Sequence, residues 1–183
     1  MEISSQIIRE EKLRKLLAVI LIDMQEDFVK DLRAGEAKRI IPNQLEILKY
    51  CNQFSIPIVV LELNVQSYGK TNEILLNEAK KNHHFRLIGK EYDNGFFKTE
   101  LDYHLKALGI KKLFIMGINA NYCVKETARG AIDNGYKIMT SNEVISGQSG
   151  HSRYNSIDWF KSNGRCVDTV NEFAEEAIAV FEN

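Results

Sequence analysis

The 183-residue sequence has no excess of either charge and no long apolar run. Its 24 Lys and Arg residues against 25 Asp and Glu leave a formal net charge of -1, so no overall field attracts nucleic acid or an anionic membrane. The longest apolar run, 16–22, is far shorter than the roughly twenty residues of a membrane-spanning helix. We therefore expect no nucleic acid and no membrane among its partners.

Cysteine is also scarce. Cys51, Cys123 and Cys166 are an odd number at wide spacing, which argues against a disulfide framework and for a reducing compartment. The run 16–22 lacks the basic head and the small-residue cleavage site of a signal peptide. We expect a cytoplasmic protein in which 1–183 form a single domain, with 1–14 as a lead segment.

Apolar runs alternate with helical patterns along the chain. Apolar residues on consecutive positions, rather than on alternate ones, are typical of strands covered on both faces. We assign six such runs: 16–22, 56–63, 85–88, 113–117, 136–140 and, more weakly, 165–167. The alternation predicts an α/β fold, a three-layer doubly wound and mainly parallel six-stranded sheet with helices on both faces.

Helix boundaries are predicted from the residues that favour them. Pro42 is suited to the first turn of one helix, and Thr71 and Thr99 are suited to cap the next two. A fourth helix is predicted over 121–134, and a capping box at Thr169 opens the last.

Three reactive side chains follow predicted strands. Asp23 directly follows the first strand, Lys90 follows the third, and Cys123 lies just past the fourth. Ligands of such folds bind at the carboxyl ends of the strands, which predicts a site there. Each residue also has an ordinary alternative: a capping aspartate, a solvated lysine, and a buried cysteine acting as a small hydrophobe, as fits Cys51 and Cys166.

Helical spacing after Cys123 places its sulfur in the first turn of a helix, where free N–H groups and the helix dipole favour an anion. Lowering a thiol pKa from about 8.5 to about 7 needs roughly 2 kcal/mol. A lysine ammonium about 4 Å away supplies about 4 kcal/mol at an effective dielectric near 20. We therefore expect a reactive thiolate if Lys90 converges on Cys123.

Three segments resemble the motifs of isochorismatase-like cysteine hydrolases. They are LIDMQEDF at 21–28, KEYDNGF at 90–96, and GINANYCV at 117–124 with the helix that follows it. All three occur in the order and spacing of that family, and the resemblance extends from about residue 16 to the capping box. One motif alone is weak evidence, whereas three in register are strong.

The resemblance implies a doubly wound sheet and a catalytic group of Asp23, Lys90 and Cys123. It also implies a cis peptide at Ile118–Asn119 and an oxyanion hole formed by the backbone N–H groups of Asn119 and Cys123. A small-molecule substrate, no cofactor and a homo-oligomer are further expectations from the family.

The sequence departs from the family pattern in two places. Ala120 stands where a threonine is frequent, so local hydrogen bonding there is expected to differ. The nicotinamidase branch carries an Asp-x-His metal motif where this chain has 64–66, Asn-Val-Gln, and the adjacent His83 and His84 form a poor ligand pair. We expect no metal. Asn64 and Gln66 instead resemble a substrate-contacting stretch, although Gln66 fits a solvated loop equally well.

Three functions remain open. Hydrolysis of a small amide or ureide through a Cys123 thioester is favoured by the retained cysteine. Vinyl-ether hydrolysis of an isochorismate-like substrate, with Asp23 as general acid, is the alternative that Gln66 favours. A catalytically silent binding protein of the same fold is the third. Phe28, Phe96 and Tyr122 are candidates for an apolar wall of the site, or are core packing.

Overall fold

The computed structural model describes residues 15–147 and 150–178, so the predicted lead segment 1–14 lies outside the described residues. Six strands are present: β1 (Leu17–Ile22), β2 (Ile58–Leu63), β3 (Arg86–Lys90), β4 (Lys112–Gly117), β5 (Lys137–Ser141) and β6 (Arg165–Val167). The helices are α1 (Glu26–Lys30), α2 (Glu36–Phe54), α3 (Val65–Tyr68), α4 (Glu73–Ala79), α5 (Leu101–Ala107), α6 (Lys125–Asp133), α7 (Gly150–Asn163) and α8 (Asn171–Ile178). A π-helical turn (Ala120–Val124) precedes α6.

The strands form one sheet in the order β3-β2-β1-β4-β5-β6, with every pairing parallel. The predicted doubly wound α/β fold is confirmed. The chain runs outward from β1 to β3 and then returns to place β4 beside β1. The direction of winding reverses between β1 and β4, and such a reversal opens a crevice at the carboxyl ends of the strands.

The centre of the sheet forms the core. Every residue of β1 and β4 is buried, as the consecutive apolar residues predict. Phe160 and Phe173 from the last two helices are also fully buried. No helix in the described part of the chain is long and apolar enough to cross a membrane.

Two predicted helix starts are wrong, and three helices were not predicted. Pro42 lies inside α2, which begins six residues earlier after Gly35 at a φ of 88°. Thr71 does not cap α4, because its hydroxyl is buried and donates to Glu62. Thr99 accepts a hydrogen bond from the Leu101 N–H group at the start of α5. The sequence did not predict α1, α3 or α7.

Candidate active site

Asp23 lies directly after β1 at the reversal of winding, where it is 1% exposed and has a φ of 50°. Its N–H group donates to the Leu61 carbonyl at 3.0 Å, which continues the β1–β2 ladder by one residue. The buried Gln25 side chain donates to the carbonyls of Leu63 and Gly69 and accepts from the Leu63 N–H group. These bonds fix the backbone on both sides of Asp23.

Lys90 is the last residue of the edge strand β3, and its side chain extends past β2 to the centre of the sheet. Its Nζ donates to Asp23 Oδ2 at 2.8 Å and to the Tyr92 carbonyl at 3.2 Å. The two charged side chains are 0% and 1% exposed. A buried charge of this kind needs its partner, since burial without one is costly.

The two carboxylate oxygens of Asp23 differ in their hydrogen bonding. Oδ1 is out of contact with solvent and accepts no hydrogen bond from the residues that the structure describes. Burial raises the pKa of Asp23 above its usual range, while the charge of Lys90 and the interaction of the carboxylate with the Cys123 thiol lower it to a smaller extent. A carboxylate with one free oxygen and a raised pKa is suited to accept and return a proton.

The end of β4 approaches Asp23 from the other side of the crevice. Gly117 has a φ of 133°, and a Cβ there would collide with the Ile22 carbonyl oxygen, so only glycine fits. The next peptide, Ile118–Asn119, is cis. The Ile118 N–H group donates to the same Ile22 carbonyl at 3.1 Å, which ties the start of the segment that carries Cys123 to β1.

Cys123 lies in the π-helical turn rather than in the first turn of the predicted α-helix. The Val124 N–H group donates to the Asn119 carbonyl five residues back, at 3.1 Å, which widens the turn. The Tyr122 N–H group donates to the same carbonyl, and that of Ala120 donates to Ser146 at 2.8 Å. Cys123 itself is 4% exposed.

The expectation of a lowered thiol pKa is wrong for the resting site. Burial raises the pKa of Cys123, and the charge of Asp23 raises it further, while Lys90 lowers it. Burial is the largest of these effects, and the charge of Asp23 outweighs that of Lys90. The thiol is therefore protonated at neutral pH and needs a base.

Sequence reasoning missed Asp93, whose Oδ1 accepts a hydrogen bond from the Cys123 thiol at 3.4 Å. Asp93 belongs to the loop that follows Lys90. Thr127 of α6 fixes this loop, since its hydroxyl accepts from the Gly95 N–H group at 2.9 Å and donates to the Asp93 carbonyl at 3.3 Å. The spacing of the lysine motif gave no signal for this second carboxylate.

Two of the candidate substrate-binding residues flank Lys90 and Cys123. Asn64 is exposed, and its N–H group donates to the Lys90 carbonyl at 3.0 Å. Tyr122, next to Cys123, is 61% exposed.

The other three candidates have packing partners or lie in solvent. Phe28 is half-buried, with its ring 4.5 Å from that of Tyr68, centroid to centroid. Phe96 is half-buried against Tyr136, at 5.7 Å between ring centroids. Gln66 is exposed on α3.

The adjacent histidines lie away from the site. His83 and His84 are exposed, precede β3 at the amino end of the sheet, and line a small pocket with His104. Over residues 15–147 and 150–178, no group of three or more His, Cys, Asp or Glu side chains is arranged to hold a metal ion.

Comparisons with known proteins agree on one family. The isochorismatase domain matches residues 17–172. Nicotinamidase 3 of Arabidopsis thaliana is 25% identical over 149 residues, which cover 71% of this chain and 73% of that protein.

Two solved structures share the fold. An isochorismatase-like hydrolase from Alkaliphilus metalliredigens has a TM-score of 0.76 at 23% identity, covering 87% of this chain and 98% of that one. An octameric hydrolase of unknown specificity from Escherichia coli has a TM-score of 0.79 at 20% identity, covering 88% of this chain and 78% of that one.

Proposed function

Since the chain belongs to the isochorismatase family, we propose that it is a cysteine hydrolase of small amides or ureides. It cleaves a C–N bond through a thioester on Cys123. The observation that carries this proposal is the free oxygen of Asp23. Oδ1 is buried beside a protonated thiol and has no hydrogen-bond donor among the described residues, while Oδ2 is held by Lys90.

The first half of the reaction makes the thioester. Asp23 Oδ1 takes the Cys123 proton as the sulfur attacks the substrate carbonyl carbon. The backbone N–H groups of Asn119 and Cys123 stabilise the oxyanion that forms. Asp23 then returns the proton to the leaving nitrogen, the C–N bond breaks, and the amine or ammonia departs.

The second half restores the enzyme. Asp23, again a carboxylate, takes a proton from water as the water oxygen attacks the thioester carbonyl. The C–S bond breaks, the acid product leaves, and the proton on Asp23 returns to the sulfur. The raised pKa of Asp23 suits both directions of transfer, because it retains a proton between the steps.

Lys90 positions Asp23 in both halves of the reaction. Its ammonium holds Asp23 Oδ2 at 2.8 Å and thereby directs Oδ1 toward the reacting atoms. The same charge favours the thiolate during attack, as its lowering effect on the Cys123 pKa indicates. Asn64, Gln66, Phe28, Phe96 and Tyr122 are proposed to contact the substrate around this centre.

The proposal is tested with the full chain and a panel of small amides, ureides and isochorismate. We expect ammonia or amine release, and an acyl adduct on Cys123 in quenched samples analysed by mass spectrometry. Replacing Cys123 with Ala abolishes both, whereas Cys166→Ser, which changes a half-buried thiol on β6, keeps them.

Two results would contradict this function. Pyruvate release from isochorismate that survives Cys123→Ala but not Asp23→Asn would establish the vinyl-ether reaction instead. Absence of any turnover and any adduct across the panel would favour the catalytically silent binding protein.

We also propose that the protein is a homo-oligomer, as the octameric structural neighbour is. Sedimentation velocity of the full chain measures this, and a monomer at micromolar concentration contradicts it. A cytoplasmic location stays a prediction, supported by three cysteines that form no disulfide.

A further inference from the structure

The proposed mechanism leaves one carboxylate at the nucleophile without a role. We propose that Asp93 selects substrates by charge, so that small amides bearing a positive group are preferred over neutral ones and anionic ones are disfavoured. This inference rests on the proposed function and adds the substrate class to it.

Asp93 is the exposed charge that contacts the reacting atom. Its Oδ1 accepts from the Cys123 thiol at 3.4 Å, yet the residue is exposed, so its charge faces both the nucleophile and the solvent. Asp23 and Lys90 are buried and compensate each other. Among the described side chains that contact or act electrostatically on the sulfur, Asp93 therefore adds the uncompensated negative charge that an incoming substrate meets.

Contacts of the surrounding loop hold Asp93 in place. Thr127 bonds the Asp93 carbonyl and the Gly95 N–H group, and the Asn94 side chain lies so close to Gly130 that a Cβ there would overlap it. The loop therefore presents the carboxylate at a fixed distance from Cys123.

The nearest cation on the loop is engaged elsewhere. Lys98 Nζ lies 5.3 Å from the ring centroids of both Tyr92 and Phe97, and 3.5 Å from the Tyr92 hydroxyl. It contacts neither Asp93 nor Cys123 in the structure, so the negative charge beside the sulfur is not neutralised by this lysine.

The charge effect has a predictable size. A substrate carbonyl must reach the sulfur, so a charged group on a small substrate comes within about 5 Å of Asp93. At that distance, in a water-like dielectric, one charge changes a rate about fourfold. A cationic and an anionic substrate of the same skeleton should therefore differ by about fifteenfold.

The first test measures the electrostatic effect of Asp93 at Cys123 without any substrate. Cys123 is alkylated with anionic iodoacetate and with neutral iodoacetamide, and its labelled peptide is quantified by mass spectrometry. Both reagents attack the same thiolate, so the ratio of their rates cancels any change in thiol pKa. Asp93→Asn should raise the iodoacetate-to-iodoacetamide ratio about fourfold.

Two matched variants control this measurement. Asp93→Glu keeps the charge and should keep the low ratio. Glu91→Gln removes an equal charge from the same exposed loop, at a residue with no contact to Cys123, and should change the ratio less than about twofold. A ratio that Asp93→Asn leaves unmoved, or that Glu91→Gln moves equally, overturns the proposal.

The second test uses substrates. The cationic glycinamide, the neutral propionamide and the anionic succinamate should be hydrolysed with kcat/KM falling in that order. Asp93→Asn should reduce the differences among the three kcat/KM values. Succinamate turnover equal to or above that of glycinamide overturns the substrate class. If no amide is hydrolysed while the alkylation ratio still shifts, the amidase function fails and Asp93 is upheld as the charge selector at Cys123.

Discussion

Two buried carboxylates at the ends of neighbouring strands serve different purposes. Glu62 in β2 is 3% exposed, and its Oε1 accepts 2.7 Å hydrogen bonds from both the N–H group and the hydroxyl of Thr71. Asp23, which follows β1, is equally buried but pairs with the charged Lys90, and no residue that the structure describes donates to its Oδ1.

Under the proposed function, the difference separates a structural carboxylate from a reactive one. The partner of Glu62 is nine residues away along the chain, so this contact fixes a local loop. The partner of Asp23 is 67 residues away, so that pair requires the whole sheet to form. An unbonded buried oxygen costs stability, and in the proposed function this one accepts the Cys123 proton.

Removing the charge of Asp23 and that of Glu62 in turn should show the largest difference between the two carboxylates. Asp23→Asn should lower kcat/KM by about 10²–10⁴, because the general base is lost. Glu62→Gln should lower it less than about threefold, since Glu62 touches no reacting group. Steady-state kinetics on the amide found in the panel measures both, and an equal loss in the two variants would remove the distinction.

Stability gives the next largest effect. Asp23→Asn or Lys90→Met leaves an unpaired buried group and should each cost about 3–5 kcal/mol of unfolding free energy. The double variant should recover most of that loss, because replacing both members of a buried pair is often close to neutral.

Glu62→Gln is the matched control for this cycle. It keeps the hydrogen-bond acceptor for Thr71 and should cost only about 1–3 kcal/mol. Urea unfolding of the four variants supplies the comparison. Additive losses at Asp23 and Lys90 would mean that the two side chains are not coupled.

A smaller effect is expected on the Cys123 thiol. Because the pKa of Cys123 is raised, the iodoacetamide rate should still be rising with pH above the ordinary thiol value of about 8.5. A nearby carboxylate disfavours the thiolate, so Asp23→Asn should lower the midpoint by about a unit. Lys90→Met should raise it, and Glu62→Gln should leave it in place. If neither Asp23→Asn nor Lys90→Met shifts the midpoint, the two residues do not act electrostatically on Cys123.

The fold could be predicted from the sequence because strands buried on both faces carry apolar residues on consecutive positions. β1 and β4 are apolar at nearly every position, and their order with the helices limits the topology. Helix ends were less predictable, since Pro42 tolerates a place inside α2. α7 was missed because its buried residues, such as Ile157 and Phe160, lie among polar neighbours without a clear stripe.

The site was predictable only where strand ends position it. Asp23 and Lys90 end or follow strands, and the structure joins them. Asp93 lies in a loop, where a charged residue is ordinarily solvated, and its contact with Cys123 spans 30 residues that only the folded sheet brings together. The thiol pKa was predicted in the wrong direction because the sequence does not reveal that burial outweighs Lys90.

The smallest expected effect separates two buried threonines. Thr71→Val and Thr127→Val each remove one hydroxyl from hydrogen bonds and should each cost about 1–2 kcal/mol of unfolding free energy. Only Thr127 fixes the loop that carries Asp93, so only Thr127→Val should weaken the charge preference, by loosening the carboxylate beside Cys123. The measurement is the iodoacetate-to-iodoacetamide ratio at Cys123, taken on both variants after urea unfolding has matched their stability loss. A ratio raised equally by Thr71→Val would trace the change to general destabilisation, whereas a rise confined to Thr127→Val assigns it to the position of Asp93.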